Sequence, residues 1–566
     1  MVAGVQNGKW TATELLEAFI RSTRRAQRRT NCVTEVAFDS ALQRAAELDA
    51  EFEQTGKLSG ALHGVPFSLK DCYHLEGTHL TIGFSSWLKN GRSTESAAIV
   101  RLAEAHGAVC FVQTNVPQTM IAIDSRNPLF GQTGNPWQPQ HVAGGSSGGE
   151  AALLAADGSA FGIGSDIGGS LRIPAHFCGI YSLKPSSGRY PNAGNAKYNE
   201  GFHSIHVVTG PMTRSLADLE LLHRLNMETL HPTEESATLS LRETQLQYGA
   251  ESLVPAPLRP LWLDALGAAE KRGRPLRFGY FLTDGLSRTS PACIRAVLAA
   301  KTALERKHGK HVEFVELQAS EVRGAHAMRL FLSIVGCDRF HSSRKHIAPD
   351  AVDPAMKLAF LLPSLPSLIR KLFVFIVRYI IRDRAFAYVV ERAFKKTAGG
   401  LIDAQAENDD FVEHWNVHVW QRHRLDGIVC PVFALPAPLH HGTDEISGAV
   451  APTALFNLLD NPAVTLPVLR VDAQLDAASN SKPSPYWQQA NFKDTSKLLA
   501  YRMYGSGSPI YSATRMAGLP VGVQVVTQRY EEEKALGLAR LLDEALGERG
   551  FGPGAFSRAQ QAKLQA

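Results

Sequence analysis

The sequence predicts an α/β or mixed-sheet protein, and three observations point there. Strand-like and helix-like segments alternate, the composition is that of a soluble globular chain, and one glycine-dense stretch must approach other backbone or a ligand closely. Residues 276–281 read as strand, 290–308 as helix and 312–315 as strand again, the alternation expected of α/β architectures. Of 566 residues, 44% are hydrophobic and 20% charged, which suits a chain that buries a large core and argues against disorder. Length alone fits either several domains or one large enzyme domain with insertions.

The net charge of +5 is small for this size, so no nucleic-acid partner is expected. Cys32, Cys72, Cys110, Cys178, Cys293, Cys337 and Cys430 are scattered singly with no C-x-x-C pair. That spacing gives neither a zinc site nor a disulfide framework and favours a reducing, intracellular compartment. Near the N-terminus no apolar run reaches signal-peptide or membrane-spanning length, so no targeting element is expected there.

In chain order, 12–27 reads as an amphipathic helix that Thr13 could cap, with Leu15, Leu16, Phe19 and Ile20 at helical spacing. Residues 64–71 read as a turn and a short buried strand ending at Lys70. A helix over 98–105 and a strand over 108–112 follow, then the glycine-dense segment 144–188. The most linker-like composition lies at 472–485.

The chemistry concentrates in two serine-bearing glycine turns, Gly144-Gly145-Ser146-Ser147-Gly148-Gly149 and Gly162 to Ser170. Glycine runs are ordinarily turns. Across Asp166 to Ser170, however, small residues leave backbone N–H groups free to converge on a developing oxyanion beside the serine that ends the run. A serine hydroxyl needs an adjacent base, which Ser-Lys hydrolases supply as an uncharged lysine. Lowering a lysine from ~10.4 to about 7–8 takes burial, and Lys70 closes an apolar strand. Gly145-x-Ser147-x-Gly149 also fits a nucleophile elbow, but a polar stretch precedes it where an elbow needs a buried strand; Ser147 is therefore the second candidate nucleophile. Gly162-x-Gly164 lacks the third glycine of a dinucleotide fingerprint. The histidines show no metal-ligand spacing, so neither a metal nor a cofactor is expected.

Lys70 in GVPFSLKDCY, GGSSGGE at 144–150, and GIGSDIGGSLRIPAHFCGIYSLKPSSGR at 162–189 together resemble the amidase signature family, as does GLPVGVQVV at 518–526. TNVPQTM at 114–120 and NPLFGQTGNPW at 127–137 resemble its fatty acid amide hydrolase branch. The resemblance implies one catalytic domain over 1–566, built on a mixed, mainly parallel central sheet flanked by helices on both faces. It implies Ser170 as the acylated nucleophile, Ser146 as proton relay beside an unusual cis peptide, and Lys70 as base. It further implies an oxyanion hole from the N–H groups of Ile167, Gly168, Gly169 and Ser170, with Ser147, Asp166 and Arg172 holding the site by hydrogen bonds. Met120, Ile121, Ile123, Thr453 and Phe456 would line the acyl pocket.

Residues 356–384 are apolar but broken by Pro363 and Pro366 and studded with arginines, so they do not read as a spanning helix. Leu368, Ile369, Leu372, Phe373, Phe375, Ile376, Tyr379 and Ile380 fall on one helical face, opposite Arg370, Lys371 and Arg378. A basic amphipathic helix of this kind suits a membrane interface, and the resemblance implies a membrane cap at this place, hence a peripheral or monotopic protein. By analogy a homodimer is expected. The function expected is hydrolysis of lipid amides, N-acylethanolamines or primary fatty acid amides, to fatty acid and amine. Two alternatives stand beside it: the glutaminase subunit of a tRNA-dependent amidotransferase, and a non-catalytic lipid-binding protein.

Overall fold

The structure, a computed structural model, describes residues 1–196, 201–230, 258–391, 393, 397–478, 484–505 and 507–565. Among these, eleven strands form one sheet: β1 (Val33–Val36), β2 (Pro66–Lys70), β3 (Val109–Thr114), β4 (Phe161–Asp166), β5 (Tyr181–Lys184), β6 (Val208–Thr213), β7 (Leu276–Tyr280), β8 (Val312–Glu316), β9 (Gly427–Pro431), β10 (Ala463–Arg470) and β11 (Pro520–Val526). Their spatial order is β1-β3-β2-β4-β6-β5-β10-β11-β9-β7-β8.

The α/β class and the mixed sheet are as expected, but a parallel majority is not found. β2 runs parallel to β3 and β4, and β7 runs parallel to β8 and β9. The six other neighbouring pairs are antiparallel. Parallel pairs arise at the two wings, where a crossover joins neighbours. The centre instead pairs β5 with β10, strands far apart in sequence, whose relative direction no local pattern records.

The helices that bear on the site are α1 (Ala12–Thr30), α2 (Gly148–Ala155), α3 (Arg172–Cys178), α4 (Pro291–His308), α5 (Gly324–Val335), α6 (Pro354–Ser364), α7 (Ser367–Phe375), α8 (Ala398–Trp415), α9 (Ala451–Leu458) and α10 (Glu532–Leu546). α3 packs on β10 and β11 from one side, meeting Gly522 through His176, while α4 and α10 cover the other. Every residue of β11 is buried, as a strand covered on both faces must be. α2 is buried all round, which is why GGEAALLA shows no polar stripe.

Two local readings change. Thr11, and not Thr13, caps α1: its Oγ accepts the Glu14 N–H at 3.1 Å while Glu14 takes the Thr11 N–H at 2.9 Å, a reciprocal capping box. Thr13 instead donates its hydroxyl to Asp49 at 2.7 Å. In the linker-like stretch, residues 479–483 lie outside the described residues. Before them, Asp476 is fully buried and takes a bidentate pair of bonds from Arg295 at 2.7 and 2.6 Å, so this part is fastened to α4.

α6 and α7 form a hairpin bent by 111°, α7 running on into a widened turn at Ile376–Ile380. The break falls at Leu365–Pro366 because the residue before proline is pushed out of helical geometry. Among the described residues no single helix is long and apolar enough to cross a membrane. The single apolar face drawn from the sequence divides in two. Leu368, Leu372, Phe375 and Tyr379 are exposed, Leu368 by 77%, whereas Phe373 and Ile376 are half-buried beside the buried Val377.

Candidate active site

Lys70 ends β2 and Asp166 ends β4, and since these parallel strands are neighbours, both residues leave the sheet at the same edge. α2 and α3 begin there, at the two serine turns. Crevices at the carboxyl ends of parallel strands are where α/β proteins hold ligands.

Lys70 is fully buried. Its Nζ donates to Ser146 Oγ at 2.7 Å and to Ser165 Oγ at 2.9 Å, with Ser165 O at 3.4 Å. Burial pushes the Lys70 pKa down, against the opposing pull of Cys72, Asp166 and Glu150. No carboxylate among the described residues forms an ion pair with it, so burial works against the ammonium form without a paired charge to offset it. The Gly145–Ser146 peptide is cis. Ser170 is 9% exposed and lines the same cavity as Ser146, and its carbonyl accepts the Ser147 N–H at 3.2 Å, tying the turns together. Ser147 itself is fully buried and turns its hydroxyl to Ser165 O at 3.4 Å, away from the cavity lining.

Asp166 organises the second turn. It accepts the N–H of Gly169 at 2.9 Å and of Leu171 at 3.0 Å, two bonds from Arg172 at 3.0 and 3.1 Å, and one from Asn457 at 2.9 Å. Burial alone would raise its pKa, but the Arg172 guanidinium outweighs it and holds the carboxyl well below the usual range. Arg172 is in turn satisfied by Thr453 O, Gln524 and Asn457 at 3.0, 3.1 and 2.6 Å. The Gly169 N–H is therefore engaged by Asp166, which removes it from the expected set of oxyanion donors. The N–H groups of Ile167, Gly168 and Ser170 have no acceptor among the described residues.

The cavity at this turn measures about 320 Å³. Met120, Ile121 and Ile123 line it, together with Phe331 and Val335 of α5 and Leu401 of α8. Thr453 and Phe456 do not line it. Thr453 Oγ stands behind the turn, 2.7 Å from Gly168 O, so close that a Cβ on Gly169 (φ +133°) would meet it at 2.5 Å. Phe456 is buried against Trp415 with ring centroids 5.9 Å apart. Both lie on α9, outside the cavity lining. Sequence reasoning missed Ser165, although it lies within the quoted motif, and missed Phe331, Val335 and Leu401, which carry no local signal. No group of three or more His, Cys, Asp or Glu among the described residues is placed to hold a metal ion.

A family model described as amidase matches residues 14–536. The chain belongs to the amidase signature family. Among amidases of known identity, it is similar to fatty-acid amide hydrolase 1 of Sus scrofa, with 31% identity over 96% of this chain and 85% of the relative. It is also similar to an acetamidase of Aspergillus oryzae, with 30% identity over 97% and 89%. A solved structure of a fatty acid amide hydrolase superposes with a TM-score of 0.76 at 26% identity, covering 96% of this chain and 84% of that one. A bacterial aryl acylamidase shares the fold with a TM-score of 0.64 at 21% identity, over 96% and 95%. As an amidase signature enzyme the protein is an amide hydrolase.

Proposed function

We propose that this amidase cleaves lipid amides, N-acylethanolamines or primary fatty acid amides, through an acyl-enzyme on Ser170. The observation that carries the reading is the junction of a buried Lys70–Ser146 pair with a cavity half of whose lining residues are apolar side chains, Met120, Ile121, Ile123, Phe331, Val335 and Leu401 among them. Ser170 Oγ attacks the amide carbonyl and passes its proton to Ser146 Oγ, which gives its own to the neutral Lys70 Nζ. The N–H groups of Ile167, Gly168 and Ser170 take the developing oxyanion. As the C–N bond breaks, the proton returns from Lys70 through Ser146 to the amine nitrogen, which lets an amide leave. Water then repeats the sequence in place of Ser170 and frees the acid. Thr453 fixes the Gly168 carbonyl and Asp166 with Arg172 fixes the turn.

The exposed apolar stripe of α7, with Lys371 beside it, supports a monotopic contact with a membrane surface. In the chain, the cavity-lining α5 precedes this hairpin and Leu401 follows it. The unpaired cysteines support an intracellular setting, and a homodimer is part of the same reading. A second reading, hydrolysis of short amides, draws on the likeness to the fungal acetamidase.

The test is kcat/KM across straight-chain amides from acetamide to oleamide, together with N-acylethanolamines. Each methylene seated in the cavity is worth up to ~0.8 kcal/mol, or about fourfold, so a rise with chain length is expected. A maximum at acetamide favours the second reading, activity on free glutamine alone favours the glutaminase subunit, and lipid binding without release of acid favours the non-catalytic protein.

A further inference from the structure

Glu150, which that mechanism does not use, lies fully buried in the first turn of α2. Its carboxyl takes Ser68 Oγ at 2.7 Å and Thr114 Oγ1 at 2.8 Å. Ser68 and Lys70 alternate onto one face of β2, Thr114 is the register partner of Lys70 on β3, and Gly162 is that of Ser68 on β4. The carboxyl thus shares the lysine's sheet face, next to it along the strand. Gly162 makes the room: a Cβ there would stand 1.9 Å from Glu150 Oε2.

The two groups share no hydrogen bond, since Lys70 is engaged with Ser146 and Ser165. A charged lysine facing a charged glutamate would leave two desolvated ions out of contact, the least favourable way to bury a pair. The hydroxyls around Glu150 are equipped for the neutral acid. Ser68 Oγ has Phe161 O at 3.4 Å and Thr114 Oγ1 has Leu69 O at 3.5 Å. Either hydroxyl can therefore accept the carboxyl proton and turn its own toward a backbone carbonyl.

We propose that Glu150 is a positioning residue for the base, keeping its proton while Lys70 is without one, so that no anion behind the lysine draws it back to the ammonium form. The proposal rests on the reading of Lys70 as the base. Burial, only partly offset by the bonds from Ser68 and Thr114, pushes the Glu150 pKa up to about 8. The other titratable groups that sense it are Cys32 after α1, Cys72 and Tyr73 after β2, and Cys110 on β3, all held neutral by burial. Lys70 is the cation-forming group among them.

Infrared difference spectroscopy of the resting full-length protein, wild type against Glu150→Gln at neutral pH and without substrate, reads the proton directly. A protonated-carboxyl C=O band that shifts in D2O and is missing from the variant is the expected result. The acid limb of kcat/KM is expected to stay within about 0.3 pH units in Glu150→Gln, because a neutral group replaces a neutral group. No such band, or an acid limb lower by more than about one unit, would show an ionised Glu150 and overturn the proposal. Should Glu150→Gln not fold, Thr114→Val keeps the carboxyl. The band must then persist at a shifted frequency, and its absence overturns the proposal equally. The spectrum needs no turnover, so a protein that hydrolyses no lipid amide would sink the proposed function while leaving this result standing.

Discussion

Burial of Lys70 has a thermodynamic signature. Its folded pKa lies below the unfolded value of ~10.4 because burial disfavours the ammonium. Between the two values the unfolded chain holds one more proton, so stability falls as pH falls. The penalty is absent above the unfolded pKa, grows by about 1.4 kcal/mol per pH unit below it, and levels off once pH passes the folded pKa. Urea unfolding from about pH 10 downward is expected to show Lys70→Met gaining on the wild type with that slope; a pH-independent difference contradicts it. Arg172 works in the opposite sense. Arg172→Met leaves Asp166 buried without its cation and is expected to cost about 3–5 kcal/mol by denaturant titration, with no loss meaning the pair is dispensable. At this scale the motifs were legible where chemistry demands small residues: Ser146, Ser170, Asp166 and Lys70 converge as read. The sequence could not disclose that the Gly169 N–H is spent on Asp166, which depends on how that carboxylate turns back on its own loop, nor that Thr453 stands behind the turn, which depends on side-chain direction across α9.

The hairpin of α6 and α7 shows how an element is aimed by one buried cluster. Arg126 grips Asp353 with two bonds at 2.6 and 2.7 Å and also reaches Asp444 at 2.8 Å. Asp353 caps α6 through the Ala355 N–H at 2.8 Å. The segment carrying Arg126 also supplies Met120 to Ile123, so hairpin and cavity wall share a mount. Arg126→Leu strips the cation from these carboxylates and is expected to destabilise the protein by about 3–5 kcal/mol, checked by urea unfolding; a change within ±0.5 kcal/mol contradicts the anchoring role. Exposed α7 side chains belong to a different prediction. Replacing Leu368, Leu372 and Phe375 together with Ser is expected to cut sedimentation with anionic vesicles at least ~10²-fold, since each buried side chain is worth about 1.5–3 kcal/mol. Turnover of a water-soluble short amide should not change, and unaltered vesicle binding would contradict a membrane-facing hairpin. The break at Pro366 was readable from the chain. The inward turn of Phe373 and Ile376 was not, because it depends on what the hairpin packs against.

Across the whole molecule, the alternation of strands and helices identified the class but not the pairing of the central strands. The edge that carries the serine turns draws β2 and β4 from the N-terminal half, while α9 and β11 from the far end supply Asn457 and Gln524 to Arg172. Likewise the cavity wall joins the 119–123 segment to α5 and α8, elements that a sequence reading treats separately. Only the assembled fold brings them round the cavity that Ser146 and Ser170 also line. Fluorophosphonate labelling with peptide mass mapping, on the wild type and on Ser170→Ala, Ser147→Ala and Lys70→Ala, tests the central claim most directly. The account predicts label on Ser170, retained in Ser147→Ala, sharply weakened in Lys70→Ala and absent from Ser170→Ala. Label on Ser147, or undiminished labelling without Lys70, would contradict it.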